Sequence, residues 1–106
     1  MFGFQSLDVY KCANELLPKA YAIARALDGE MASQLRRAAL SISLNIAEGS
    51  GRFDRDQKRF YLIARGSALE CAAILDAARM LGKASGADDA VALLVRIVSM
   101  LTRMAA

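Results

Sequence analysis

Apolar residues recur along this chain at intervals of three and four, and nowhere do they alternate with polar ones for the length of a strand. The pattern predicts four helices, at about residues 7–27, 30–48, 55–82 and 89–104. In the first, Val9, Ala13, Leu16, Leu17, Ala20, Tyr21, Ala24 and Leu27 share one face, with Lys11, Glu15, Lys19 and Ala26 opposite. Ser6 is its expected N-cap. Pro18 falls near the polar side, where water can meet the lost hydrogen bond, so a kink is expected rather than a break.

The remaining boundaries come from turn chemistry. Gly29 is expected to end the first helix, and Gly49, Ser50 and Gly51 the second. Asp54 and Gln57 stand at capping-box spacing before the third. Asp88 or Asp89 can cap the fourth, after the turn KASGADD at 83–89. Short connections favour antiparallel neighbours. The expected fold is all-α, a single domain over residues 1–106 forming an up-down-up-down four-helix bundle. No repeat or low-complexity segment interrupts it.

The helix faces add detail. The fourth helix has one stripe of Val91, Leu94, Val95, Val98 and Leu101, and a second beside it of Leu93, Ile97, Met100 and Met104. A bundle helix needs one stripe of about 100°. The second stripe is therefore the expected contact with another subunit. On the third helix Phe60, Ile63, Ile74, Ala78 and Leu81 are expected to face the core, with Lys58, Arg65, Asp76 and Arg79 solvated. Ser67 and Glu70 fall on the apolar side, where a carboxylate is costly unless paired. Arg36, Arg37 and Asn45 are its candidate partners. On the second helix Gln34, Arg37, Ser41, Asn45 and Glu48 form a polar stripe flanked by Ile42 and Ile46 on one side and Leu40 and Leu44 on the other. That stripe is either a solvated face or a polar seam engaging Glu70.

Composition narrows the chemistry. The chain is 56% hydrophobic with mean hydropathy +0.27. That is high for a small domain with much surface to cover, and points to burial against another chain. The formal charge of +3 permits nucleic acid without demanding it. The absence of histidine removes His-based zinc sites, Ser–His and Cys–His nucleophile pairs and di-iron Glu-x-x-His motifs. Cys12 and Cys71, without a CxxC, read as reduced packing residues. No phosphate-binding glycine motif is present, and GSG at 49–51 is a helix stop. Neither a catalytic set nor a metal or cofactor site is expected. The start, MFGFQSLD, lacks a basic n-region, and VALLVRIVSML at 91–101 is too short to span a membrane, so a cytoplasmic location is expected.

QLRRAALSISLNIAEGSGR (34–52), RFYLIARGSALE (59–70) and the N-terminal FQSLDVYKCANELLPKAY (4–21) carry a resemblance. Over about residues 4–82 the chain resembles the bacterial four-helix bundle proteins, also called the ribosomal RNA intervening-sequence protein family. One departure is Ser43, where many members have proline, so the second helix is expected to run straighter. The resemblance implies an all-helical bundle assembled as a ring-shaped homopentamer, with no known catalytic activity. Some members are encoded within insertions in large-subunit ribosomal RNA genes. A related branch is the accessory protein of diversity-generating retroelements, which binds a reverse transcriptase and its RNA. The polar letters of the signature include Arg37, Ser41, Asn45, Glu48, Ser67 and Glu70, and their recurrence favours a structural polar network at a helix or subunit junction.

Two functions are then expected, in competition. One is a non-enzymatic protein-interaction hub with a protein partner. The other is an RNA- or DNA-binding scaffold using Arg52, Arg55, Lys58 and Arg59 around the turn between the second and third helices, with Phe53 and Phe60 for stacking. Five copies would together carry a charge of about +15, which favours phosphate.

Overall fold

The computed structural model describes residues 1–106. It is all-α and has no strands. A short 3-10 turn, Gly3–Ser6, precedes α1 (Asp8–Ala24), α2 (Gly29–Ser50), α3 (Asp54–Met80) and α4 (Asp88–Met104). Each helix packs on its neighbours in sequence, and α1 closes the bundle against α4. No helix is long and apolar enough to cross a membrane.

Four helices were expected, and their ends differ in instructive ways. Ser6 does not cap α1. Its hydroxyl donates to the Gly3 carbonyl inside the 3-10 turn, and Leu7 takes the N-cap position with no side-chain bond. Gly29 opens α2 instead of ending α1, because Asp28 accepts from the Met31 amide at 3.0 Å and caps the helix there. Helix α1 runs unbroken through Pro18 and ends at Ala24. At the other end of α2, Gly49 and Ser50 are still helical. Asp54 and Gln57 form no capping box. Phe53 is the N-cap of α3, and Asp54 has φ 52°, a left-handed conformation that aspartate tolerates better than most residues. Gln57 instead donates from Nε2 to the carbonyls of Gly49 at 3.2 Å and Arg52 at 3.0 Å. It thus adds a second donor to the Gly49 carbonyl, which also accepts from the Arg52 amide, and bonds the Arg52 carbonyl just past α2. Neither Asp88 nor Asp89 caps α4; Asp88 accepts from Arg79.

The core explains why the face of α3 departs from expectation. Twelve of its 26 residues are alanine, which lets helix axes approach closely. On α3 the buried stripe is Tyr61, Ala64, Ala68, Cys71, Leu75 and Ala78. Ile63 and Leu81, expected inside, are exposed, and Phe60 and Ile74 are half-buried. The small residues face inward because α2 lies close. A Cβ added to Gly49 on α2 would sit 2.9 Å from the Tyr61 ring and 3.0 Å from the Phe60 Cβ. The bulky side chains are left outside.

The second stripe of α4 is also relocated. Leu93 and Ile97 are buried in the chain's own core, and Met100 and Met104 pack half-buried against it. They are satisfied within the chain because α4 lies in the angle between α1 and α3 and needs a wide apolar face. Most of the unpartnered apolar surface lies on α2 and α3, at Leu40, Leu44, Leu62, Ile63, Leu69 and Met80; on α4, Val95, expected in the first stripe, is also exposed.

Gly49→Ala should destabilise the fold by about 1–3 kcal/mol, as overpacking of a tight contact does. Urea unfolding checks this, and a loss below about 0.5 kcal/mol would mean that α3 can retreat from α2 without cost.

Candidate functional site

The signature residues gather on the α2–α3 pair. Ser41 and Asn45 lie one turn apart on α2 and face Ser67 on α3. The Ser67 hydroxyl donates to Ser41 Oγ at 2.9 Å. Asn45 Nδ2 donates to the same oxygen at 3.0 Å and to the Ser41 carbonyl at 2.9 Å. Ser67 is buried, and Ser41 and Asn45 are half-buried. This is a polar seam inside one chain. A second hydroxyl on the opposite flank of α2, Ser43, is buried and donates to Asn14 Oδ1 on α1 at 3.2 Å.

The other expected members of the network stand apart. Arg37 donates to Ser33 Oγ at 3.2 Å, an exposed pair on the same helix. Glu48 pairs with Arg52 at 3.5 Å. Glu70 is exposed, and neither Arg36, Arg37 nor Asn45 reaches it. With the buried stripe of α3 set by small residues, position 70 turns outward to water, where its carboxylate is not desolvated.

The basic cluster at the α2–α3 corner divides into two halves. Asp56 accepts from Arg52 at 3.3 Å and from Arg59 at 3.2 Å. Both guanidinium groups also lie over the Phe60 ring, 5.1 Å and 4.7 Å from its centroid. Phe60 is therefore held by arginines on its own chain, a cation–π arrangement, rather than offered for stacking. Arg55 and Lys58 take part in no ion pair. With Arg59 and Leu62 they line an open groove of ≈ 560 Å³. Phe53, at the tip of the corner, is 82% exposed.

Burial perturbs two groups of the interior. Burial pushes the Cys71 thiol from its ordinary 9.0 up to about 12, and the neighbouring Glu70 carboxylate adds to the shift. Burial also raises the Tyr61 phenol. A protonated, buried thiol is a poor nucleophile. No grouping of His, Cys, Asp or Glu side chains is suited to hold a metal ion.

An alanine-cored bundle with a tight glycine contact, a serine–asparagine seam and an arginine-clad corner is an all-α, four-helix protein. The chain matches the family described as 23S rRNA-intervening sequence protein over residues 5–103 and belongs to it. No curated protein matches the chain. The resemblance read from QLRRA…NIAEG is thereby borne out, and it extends through α4, which carried little of the signal.

Sequence reasoning missed two features. Asp28 as an N-cap was readable from the acidic residue three positions before Met31. The outward stripe of α3 was readable from Leu62, Leu69 and Ala73 at helical spacing, but that spacing is equally the mark of a core stripe.

Ser67→Ala should cost about 1 kcal/mol by removing a buried hydrogen bond, whereas Glu70→Ala should change stability by less than about 0.5 kcal/mol. Parallel denaturant titrations distinguish them, and equal losses would put Glu70 in the seam. The Cys71 shift has a definite sign. Only the neutral thiol suits the fold, so its contribution is complete below pH 9 and is lost as pH rises toward about 12. Cys71→Ala should flatten the alkaline decline in unfolding free energy across that range, and an unchanged slope would refute the assignment.

Proposed function

We propose that this protein is a non-enzymatic, oligomeric four-helix bundle that acts as a protein-interaction hub. The observation that carries this reading is the unpartnered apolar surface on α2 and α3, which the small residues of the α2–α3 contact leave outside. Large exposed side chains concentrated on two adjacent helices suit association with other chains. The helices run up-down-up-down, a course supported by the pairs Gly49 with Tyr61, Ser41 with Ser67 and Arg65 with Thr102. A homopentameric ring, implied by the family resemblance, is one closed form the association can take. The cytoplasm is the location we propose.

One observation favours a second reading, in which the corner binds RNA or DNA. Arg55 and Lys58 take part in no ion pair, and the Phe53 ring on the same corner is exposed. Phosphate attraction and base stacking both need such an arrangement. Arg52 and Arg59 contribute less to it, since Asp56 already neutralises part of their charge.

Two measurements test these readings. Light scattering should give a mass several times that of the 11.4 kDa chain, and a monomer at high concentration would sink the oligomeric hub. Fluorescence anisotropy with structured RNA and duplex DNA, at low and moderate salt, tests the second reading. Binding that weakens with salt and disappears in Arg55→Ala/Lys58→Ala would establish it, and no binding at low salt would end it.

A further inference from the structure

The amino-terminal 3-10 turn lies against α1 and α2 at the end of the bundle where α2 turns into α3. The turn is closed by its own bonds. The Phe2 amide donates to Gln5 Oε1 at 2.7 Å, and the Ser6 hydroxyl to the Gly3 carbonyl at 2.9 Å. Phe2 and Phe4 stack with ring centroids 5.7 Å apart, and Phe4 rests edge-on against Tyr10. Yet no residue of the turn is buried, and Phe2 is 72% exposed. An aromatic turn that folds back on the helices without joining the core leaves space beside it. That space is a hollow of ≈ 550 Å³, lined by Phe2, Phe4 and Leu7 on one side and by Ser50, Gln57 and Tyr61 of the α2–α3 corner on the other. Its volume is in the range of small-molecule pockets.

Tyr61 is the unexplained member. Only 5% of the residue is exposed, and buried hydroxyls are normally hydrogen-bonded. The Tyr61 hydroxyl has no partner within the chain. No fully enclosed polar side-chain atom of the protein lacks one. The hydroxyl is therefore the part of Tyr61 that still meets solvent, and the hollow that Tyr61 lines is where it does so. Burial raises the phenol, so at neutral pH the hydroxyl is protonated and can both donate and accept.

The other two polar side chains of the lining offer acceptors. Gln57 commits Nε2 to the carbonyls of Gly49 and Arg52, which leaves Oε1 to accept. Ser50 Oγ donates to the Ala47 carbonyl at 2.8 Å and retains its lone pairs. No charged side chain lines the hollow, so nothing there offsets the desolvation of an ion. Aromatic faces suit a flat ring, and the hydroxyl and amide oxygens suit an N–H or O–H on its edge.

We propose that the hollow between the amino-terminal turn and the α2–α3 corner binds a small, neutral aromatic molecule, whose ring packs against Phe2 and Phe4 and whose N–H or O–H donates to the Tyr61 hydroxyl. Such a ligand supplies the partner that Tyr61 lacks and covers rings that the chain leaves in water. The site stands independently of any association between chains.

The test uses the full chain with indole as the probe. Indene, of the same shape but without the N–H, is the control. Titrations are followed by nuclear magnetic resonance on the signals of Phe2, Phe4 and Tyr61, and by indole fluorescence, which no tryptophan of the chain obscures. Indole should shift those signals and bind about fivefold more tightly than indene, as one net hydrogen bond of about 1 kcal/mol implies. Tyr61→Phe should leave the urea midpoint unchanged or raised, because the lost hydroxyl has no partner in the chain, and should bind the two compounds alike. Phe4→Ala should weaken both several-fold. Absence of indole binding, equal binding of indole and indene to the wild type, or a preference for indole that survives in Tyr61→Phe would each overturn the site. So would shifts confined to residues away from the hollow, or a urea midpoint lowered by Tyr61→Phe.

Discussion

The structure depends on how closely α2 and α3 can approach. Gly49 has room for no side chain against Tyr61 and Phe60, and the stripe of α3 that faces the core contains three alanines and a cysteine. Close approach brings more atoms within dispersion range per unit length of helix than bulky side chains at a wider spacing would. It also fixes what the rest of α3 must do. A 27-residue helix with three alanines and a cysteine facing inward leaves Leu62 and Leu69 outside, while Leu75 stays in the core. The same packing brings Ser67 within reach of Ser41, and it turns Glu70 out to water.

Much of the fold was legible before any coordinates. The four helices follow from spacing alone, and QLRRA…NIAEG carried the family. The faces were legible only in part, for a physical reason. Sequence patterning weights a residue by its size and apolarity, so Ile63 and Leu81 outranked Ala64 and Ala68 as core residues. Packing weights a residue by the gap it must fill, and the gap between α2 and α3 is narrow. The same bias placed surplus apolar surface on α4, whose Leu93 and Ile97 the chain buries for itself. Helix ends failed for a different reason. Ser6, Asp54 and Asp88 have the chemistry of caps, but their bonds depend on the path of the incoming chain, which short-range pattern does not encode.

The charged corner shows how little a charge count says about a surface. Four cations lie between residues 52 and 59, yet Asp56 and the Phe60 ring engage two of them. What remains available is Arg55 and Lys58, on the side of α3 that turns away from the bundle. Charge and exposed apolar surface therefore meet on one helix face, and any partner of this protein encounters them together.

Gln57 has a consequence for how the chain folds. One side-chain amide, on the first turn of α3, bonds the carbonyls of Gly49 and Arg52 and so ties the end of α2 to the start of α3. The two helices are joined by a short turn, and their contacts are close in sequence near it. Such a hairpin pays little loop-closure entropy and can form early. Helix α1 is held differently, by its flanks and by a 3-10 turn whose Phe4 rests edge-on against Tyr10. In native-state hydrogen exchange the corner amides of α2 and α3 would belong to the last unit to open, and the amino-terminal turn to the first. The segment that carries the family's sequence signature is thus also the part of the chain with the most local closure, tied by one side-chain amide across its turn.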